Sequence, residues 1–306
     1  MVALRPAVLV LGLPAGAECK VYKQCKSGAL TTGLRCADSW WRMPGVPWPT
    51  GEKLMTATAI VQARMGSTRL PGKSLSQLGT TTVLGAVLSR LKRAETVSQV
   101  IVATTNEPAD DGLANSSEVQ RQDVVRGDTN DVLSRFLVAA ESSRSDILLR
   151  VTGDCPFVDP SIVDAAVRTL RETGAEYVGT DIDGRFPHGL DVEAFTRKAL
   201  YRSDAFATKH SDREHVTPAL YRTGHFRVER IMPPEWAQRP DIRLTIDEQE
   251  DLDFARALLE LEPRALDLGA REIIGLLDAH PELKRLNATV SHNVSPVVGF
   301  RVGEIE

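Results

Sequence analysis

Several features that mark special classes of protein are missing from this sequence. No apolar run approaches the roughly 18 residues needed to span a bilayer, so we expect no membrane partner. The net charge of −4 over 306 residues lacks the basic excess of a protein that coats nucleic acid, and we expect no such partner either. Hydrophobic residues at 42% and charged residues at 25% exclude the disordered and fibrous classes. Without repeats or low-complexity tracts, the sequence predicts a globular protein of about two domains, or of one large α/β domain.

Cysteine is scarce outside the first 54 residues, and these residues differ from the rest. Residues 1–54 hold 7 Lys/Arg and 3 Asp/Glu, a net charge of +4. The remaining chain holds 30 Lys/Arg and 38 Asp/Glu, a net charge of −8. The spacing of Cys19, Cys25 and Cys36 fits neither a zinc site nor a disulfide framework, which predicts free thiols in a reducing cytoplasm. A weak signal-peptide pattern is broken by Pro14. We predict that this stretch is a disordered extension and that the folded body, which does not need it, begins at the following methionine.

From residue 55 onward, short apolar runs alternate with longer segments of helical period, which predicts an α/β protein with a mainly parallel sheet. Predicted strands are 58–63, 100–104, 124–125, 147–151, 191–195, 226–231 and 243–246. Predicted helices are 83–91, 131–140, 161–172, 198–207, 214–222, 251–261 and 271–278. Ligands of such sheets bind beyond the carboxyl ends of the strands, and the polar loops after Ala63 and Thr152 follow two of these ends.

The loop after the first predicted strand concentrates positive charge. Residues 62–73 read QARMGSTRLPGK, with two glycines and with Arg64, Arg69 and Lys73. Backbone N–H groups and three cations form a cradle for a polyphosphate, in which the guanidinium groups bind two oxygens and the lysine acts as a point charge. Five residues instead of four separate the glycines, and the helical period begins only near Thr82, so the loop is not a P-loop.

Carboxylates follow two other predicted strands. Asp154 comes after Gly153, which would let the backbone approach a ligand, and Asp247 ends the segment RLTID. Mg²⁺ prefers one or two such carboxylates together with phosphate oxygens and water. A turn role for Asp154 and an N-cap role for Asp247 are the alternatives. We predict Asp159 as a helix N-cap and Cys155 as a packed small residue.

Further polar residues gather in three segments. RGDTND, residues 126–131, is a turn before a helix, in which Asn130 or Asp131 could be the N-cap. HGLDVE and REHVT, residues 188–193 and 213–217, combine polar and apolar groups. Arg213 either clamps a carboxylate or pairs with Glu193 or Glu214, and the nearby histidines lack the cysteine partners typical of zinc sites.

The segment ARMGSTRLPGKSL resembles the opening motif of the cytidylyltransferases that make CMP-activated sugars, above all the branch of spore-coat polysaccharide enzymes. The resemblance continues through VIVATT, VVRGDTNDVLSRF, RVTGDCPFVDP, HGLDVEAF, REHVTP, RLTIDEQEDL and LLDAHPELKRLN. It implies a Rossmann-like, three-layer sandwich of the nucleotide-diphospho-sugar transferase type. The implied parts are a nucleotidyltransferase domain at 55–262, with a nucleotide half at 55–180 and a sugar and dimer half at 181–247, and a helical tail at 263–306.

The resemblance also implies a cytoplasmic, homodimeric enzyme that uses Mg²⁺ to transfer CMP from CTP to a small sugar, such as an acidic one, with release of pyrophosphate for polysaccharide synthesis. With the motifs, it predicts catalytic roles for Arg64, Lys73, Asp154 and Asp247, of which the two aspartates hold the metal. It predicts nucleotide binding by Gln62, Ala63, Arg64, Gly66, Ser67, Arg69, Lys73, Thr104, Gly127, Asn130 and Asp131. It predicts sugar binding by Gly189, Asp191, Glu193, Arg213, Glu214 and His215. The alternatives are a glycosyltransferase, although its typical D-x-D pair is missing at Asp154, and a non-catalytic nucleotide-binding module.

Overall fold

A computed structural model of the chain describes residues 56–180 and 184–290. The predicted N-terminal extension with its three cysteines, and the end of the predicted tail from residue 291, lie outside the described residues. Of the helices in the described part of the chain, none is long and apolar enough to cross a membrane.

Nine strands occur in the described chain. They are β1 (Ala57–Gln62), β2 (Gln77–Leu78), β3 (Thr81–Thr82), β4 (Val97–Thr105), β5 (Asp123–Gly127), β6 (Ile147–Thr152), β7 (Tyr177–Gly179), β8 (Glu193–Thr196) and β9 (Val228–Arg230). Seven of them form one sheet in the order β5-β4-β1-β6-β8-β7-β9, and β2 and β3 form a small hairpin. β5, β4, β1 and β6 are parallel neighbours, whereas β8 pairs antiparallel with β6 and β7. The mainly parallel sheet is therefore confirmed.

Helices cover both faces of this sheet. The α-helices are α1 (Val83–Leu91), α2 (Asp111–Ala114), α3 (Val132–Ser142), α4 (Pro160–Thr173), α5 (Arg197–Asp204), α6 (His210–His215), α7 (Pro218–Arg222), α8 (Gln249–Leu261), α9 (Ala270–Ala279) and α10 (Pro281–Lys284). One core cluster contains Val61 and apolar residues of α1, α4, α8 and α9. The other contains the adjacent Ile60 and apolar residues of α3, α5 and α7. Because neighbouring strand residues point to opposite faces, these clusters form the two cores of the predicted three-layer sandwich.

Two predicted elements differ from the structure. Residues 243–246 form no strand, although Arg243 makes an isolated parallel bridge with His188. Leu244 N–H donates to the carbonyl of His188 at 2.6 Å, and Ile246 N–H donates to that of Asp154 at 2.8 Å, so two different loops hold the segment. The predicted helix at 214–222 is split between α6 and α7. Val216 has a φ of 70° and a ψ of −53°, a γ-turn closed by Thr217 N–H donating to the carbonyl of His215 at 2.8 Å, and proline then begins α7.

Candidate active site

The ends of β1 and β6 bring two polar loops together. Gln62 and Thr152 are paired in the parallel ladder, and Gly153 N–H donates to the carbonyl of Gln62 at 2.9 Å. A Cβ on Gly153 would lie 2.9 Å from the Cβ of Ala63 and 3.0 Å from the Gln62 carbonyl oxygen. The glycine therefore lets the loops approach each other. That its backbone also comes close to a ligand stays a prediction.

We expect Gly153→Ala to lower the free energy of unfolding by about 1–3 kcal/mol, the usual cost of forcing an extra carbon into packed structure. Denaturant titration measures it. Gly66→Ala is the control, because a Cβ on Gly66 meets nothing within 4 Å. Equal stability of the two variants would contradict this account of the loop contact.

The loop after β1 is closed by its own hydrogen bonds. Gly72 N–H donates to the carbonyl of Met65 at 3.0 Å, and Ser74 Oγ donates to that of Arg64 at 3.2 Å. Lys73 begins only a short 3₁₀-helix, Lys73–Leu75, and the next α-helix starts ten residues later. The prediction that this loop is not a P-loop is confirmed. Arg64 and Gly66 lie on its exposed surface.

Lys73 lies between the two predicted metal ligands. Its Nζ is 2.6 Å from Asp154 Oδ2 and 2.7 Å from Asp247 Oδ1. Asp247 also contacts Arg243 Nη2 at 2.8 Å and Arg69 Nη2 at 3.2 Å. Burial alone would lower the pKa of Lys73, but the two carboxylates outweigh it and raise that pKa above 10.5. The lysine therefore keeps its proton and cannot act as a general base.

Asp247 is directed to these cations and does not cap α8. Burial would raise the pKa of its carboxyl, but Lys73 above all, and then Arg69 and Arg243, hold that pKa below 3.8. The N-cap of α8 is Glu248, and Asp251 Oδ2 accepts from the backbone N–H groups of Asp247 and Glu248 at 3.0 and 3.1 Å. The N-cap alternative for Asp247 is wrong, because its carboxylate contacts Lys73, Arg69 and Arg243 instead of the backbone of α8.

The two aspartates suit a divalent cation only when a substrate supplies more ligands. Within 56–180 and 184–290, no group of three or more His, Cys, Asp or Glu residues could hold a metal ion. Asp154 and Asp247 nevertheless direct one oxygen each to a single cationic nitrogen, that of Lys73. Two carboxylates completed by phosphate oxygens and water form the oxygen-rich set that Mg²⁺ prefers, so the residues present fit this metal.

Residues at the ends of β4 and β5 give the predicted nucleotide side of the site. Thr104 is fully buried, and its Oγ1 has no hydrogen-bond partner among the described residues. Asn130 is exposed. Asp131 is the N-cap of α3, as predicted, since its side chain accepts from Ser134 N–H at 2.9 Å. A Cβ on Gly127 would lie 2.6 Å from the Cγ of Arg135, so this glycine makes room for an arginine side chain.

The predicted sugar side contains a buried polar network around Glu193. Its carboxylate accepts from Arg150 and Thr217, and from the Tyr177 hydroxyl at 2.6 Å. The residue is only 9% exposed, and both carboxylate oxygens are engaged by protein groups. Glu193 therefore belongs to a polar network within the protein, and its role in sugar binding stays a prediction.

Arg213 has different partners from those that the sequence suggested. Its Nε donates to Asp131 Oδ2 at 2.7 Å and its Nη1 donates to Asp204 Oδ1 at 2.9 Å. The pairing with Glu193 or Glu214 is therefore wrong. Glu214 instead lies 3.6 Å from the exposed ring of His210. Two carboxylates already compensate the charge of Arg213.

Asp191 and Gly189 form another part of the predicted sugar side. Gly189 has a φ of 102°, and a Cβ there would lie 2.5 Å from Thr245 N, so only glycine fits. Its N–H donates to Asp191 Oδ2 at 3.0 Å. Burial raises the pKa of Asp191. Burial and the charge of Arg150 lower the pKa of His215, which favours its neutral form.

Cys155 offers no nucleophile beside these groups. It is 2% exposed, and burial and the charge of Asp154 raise the pKa of its thiol well above the ordinary value. The prediction of a packed small residue is confirmed.

Two arginines were not expected from the sequence patterns: Arg135 on α3, which is buried, and Arg150 on β6, whose side chain is 15% exposed. Both interrupt apolar stretches, VLSRF and ILLRV. A charged residue in such a position is the signal that could have found them, since buried arginines almost always serve a partner.

The chain is similar to proteins of one family. The family model described as cytidylyltransferase matches residues 58–273. The spore coat polysaccharide biosynthesis protein SpsF of Bacillus subtilis is 35% identical over 73% of this chain and 94% of its own. A 3-deoxy-manno-octulosonate cytidylyltransferase of Geobacter sulfurreducens is 33% identical over 41% of this chain and 50% of its own. A cytidylyltransferase structure from Leptospira borgpetersenii is 34% identical, covering 78% of this chain and 100% of that one, with a TM-score of 0.71. The chain therefore belongs to the cytidylyltransferase family and is a nucleotidyltransferase enzyme.

Proposed function

We propose that this enzyme uses Mg²⁺ to transfer CMP from CTP to a sugar and releases pyrophosphate. The observation that carries the proposal is the convergence of Asp154 and Asp247 on one cation, with Nζ–O distances of 2.6 and 2.7 Å, beside a loop rich in positive charge. Support for CTP and for a sugar comes from the family and from the polysaccharide and octulosonate named for the two relatives.

The loop 62–73 suits the triphosphate. Arg64 is exposed, and the Arg69 side chain is 39% exposed, with contacts of 3.2 and 3.4 Å to Asp247 and Glu248 that phosphate oxygens can replace. Guanidinium groups bind such oxygens in pairs. The ammonium of Lys73 keeps its proton and lies beside Asp154. At this position it neutralises the negative charge of the phosphate groups.

The residues of the site serve a direct displacement. A sugar hydroxyl attacks the α-phosphorus in line and pyrophosphate leaves, a reaction in which positioning and charge neutralisation provide most of the catalysis. Asp154 and Asp247 would hold the metal; bound Mg²⁺ neutralises phosphate charge and lowers the pKa of the attacking hydroxyl. With Cys155 and Lys73 both protonated, we assign neither a covalent nucleophile nor a side-chain base.

We propose a division of labour between a nucleotide half, residues 55–180, and a sugar half, residues 181–247. In the sugar half, Asp191 and His215 can exchange hydrogen bonds with sugar hydroxyls. Arg213 can clamp an acidic sugar only by giving up a contact to Asp131 or Asp204. Both acidic and amino sugars are therefore worth testing as acceptors. We further propose that the enzyme acts as a cytoplasmic homodimer in surface polysaccharide synthesis.

The test is pyrophosphate release from each of the four ribonucleoside triphosphates against a panel of acidic and amino sugars. We expect release that requires CTP, a sugar and Mg²⁺ together. A signal with UTP only, or without any sugar, would overturn the proposal. A glycosyltransferase would release no pyrophosphate from CTP, and a non-catalytic module would bind CTP without turnover.

A further inference from the structure

Arg135, on α3, is a buried cation without hydrogen-bond partners at two of its nitrogens. The residue is 3% exposed, yet within the described residues nothing accepts a hydrogen bond from its Nε or Nη1. Burying a charged donor without an acceptor costs folding free energy. Such a group needs an explanation, and a ligand that accepts these hydrogen bonds at a binding site is one.

Arg90 shows how the same fold treats an arginine that serves structure alone. It is 1% exposed, and its Nε, Nη1 and Nη2 donate to the carbonyls of Val158, Leu266 and Leu268 at 2.6, 2.5 and 2.8 Å. Every side of this guanidinium is satisfied by the protein. The open nitrogens of Arg135 are therefore not a general feature of buried arginines in this molecule.

The position of Arg135 places it at the nucleotide side of the sheet edge. Its aliphatic stem lies over Gly127, where a Cβ would come within 2.6 Å of the arginine Cγ. Gly127 is the last residue of β5 and pairs with Thr105, the last residue of β4. Both strands end at the edge where parallel α/β sheets bind ligands.

The charged groups around Arg135 do not neutralise it by direct contact. Burial lowers the pKa of Arg135, nearby Arg64 lowers it further, and Asp110, Asp128 and Asp131 raise it only in part. These carboxylates are engaged elsewhere. Asp110 accepts from two backbone N–H groups and a hydroxyl, Asp128 from two backbone N–H groups, and Asp131 from a backbone N–H and another guanidinium. The carboxylates around Arg135 therefore bind other donors, and its Nε and Nη1 are left without acceptors among the described residues.

We propose that Arg135 is a nucleotide-binding residue whose free N–H groups donate to acceptor atoms of bound CTP, either the cytosine carbonyl or a phosphate oxygen. This inference rests on the proposed function. It also gives Gly127 a new role, as the residue that seats the arginine stem and not as a contact of the nucleotide.

The test compares Arg135→Met with Arg90→Met in the full chain, by calorimetric binding of cytidine, CMP and CTP and by thermal unfolding without nucleotide. Methionine retains the stem over Gly127 and removes the unpaired charge. We expect Arg135→Met to raise the Kd for CTP by about 10- to 100-fold, the effect of losing hydrogen bonds from a charged donor, while Tm stays the same or rises. Arg90→Met should lower Tm and leave the Kd unchanged.

Cytidine, CMP and CTP distinguish the two possible acceptors, the cytosine carbonyl and a phosphate oxygen. Weaker binding of all three by Arg135→Met points to the cytosine carbonyl, and weaker binding of only CMP and CTP points to a phosphate. If wild-type protein binds no CTP, the proposed function fails. If wild-type protein binds CTP and Arg135→Met binds each of the three ligands as tightly as wild-type protein does, only the present inference is overturned. Should Arg135→Met not fold, Arg135→Lys, which keeps the charge but replaces the forked Nε and Nη1 donors with one ammonium, must bind CTP more weakly than wild-type protein.

Discussion

Replacing Asp154 with asparagine is expected to remove nearly all nucleotide transfer while the protein stays folded. The substitution converts the carboxylate, whose Oδ2 lies 2.6 Å from Lys73 Nζ, to an amide of the same shape. It removes a negative charge that a hard cation requires. Since metal ions contribute several kcal/mol to phosphoryl transfer, we expect kcat to fall by about 10³-fold. Pyrophosphate release at saturating CTP and sugar measures this loss.

Asp159→Asn is the matched control, because Asp159 lies five residues further along the same loop and has structural partners. It is 4% exposed, and it accepts from Ser161 N–H at 2.7 Å and from Ala270 N–H at 2.5 Å. We expect this variant to lose about 1–3 kcal/mol of stability, since an amide nitrogen would face a backbone donor, and to keep its kcat. Retained turnover in Asp154→Asn, or loss of turnover only in proportion to unfolding, would contradict a metal-binding role.

Much of the fold could be predicted because the apolar pattern reports which residues face a core. The strands near 58–63, 100–104 and 147–151 are confirmed, as are helices such as α3 and α4. The apolar pattern predicted a strand wrongly at residues 243–246, which are buried without pairing in the sheet. Leu244 and Ile246 are buried like strand residues, but their N–H groups bind two separate loops. Apolar residues in alternation predict burial, and the hydrogen-bond partners decide whether the segment is a strand.

The site was predictable in its residues but less so in their contacts. The motifs identified Lys73, Asp154 and Asp247, yet the ammonium that joins the two carboxylates depends on a contact across 174 residues of sequence. Glu193 and Arg213 illustrate the same limit. A carboxylate or guanidinium in a polar segment can bind a ligand or hold a loop, and only the location of its partners separates these roles.

Replacing Lys73 with methionine is expected to have opposite effects on turnover and on the response to Mg²⁺. The variant lacks the cation that neutralises phosphate charge, so we expect kcat/KM for CTP to fall by about 100-fold or more, a typical loss for one electrostatic contact to the transition state. The same change leaves Asp154 and Asp247 without the ammonium between them. Mg²⁺ alone, without nucleotide, should therefore raise the Tm of Lys73→Met more than that of wild-type protein.

Lys284→Met is the control for this pair of effects. Lys284 also lies between two aspartates, but neither of them is a predicted residue of the site. Its Nζ is 3.4 Å from Asp241 Oδ2 and 4.0 Å from Asp278 Oδ1. This variant should keep the wild-type kcat/KM and the wild-type response to Mg²⁺. A smaller Mg²⁺ effect on Lys73→Met than on wild-type protein would mean that Asp154 and Asp247 do not hold the metal. Since a purely structural lysine would lower Tm without changing the Mg²⁺ response, the direction of that response distinguishes the two roles of Lys73.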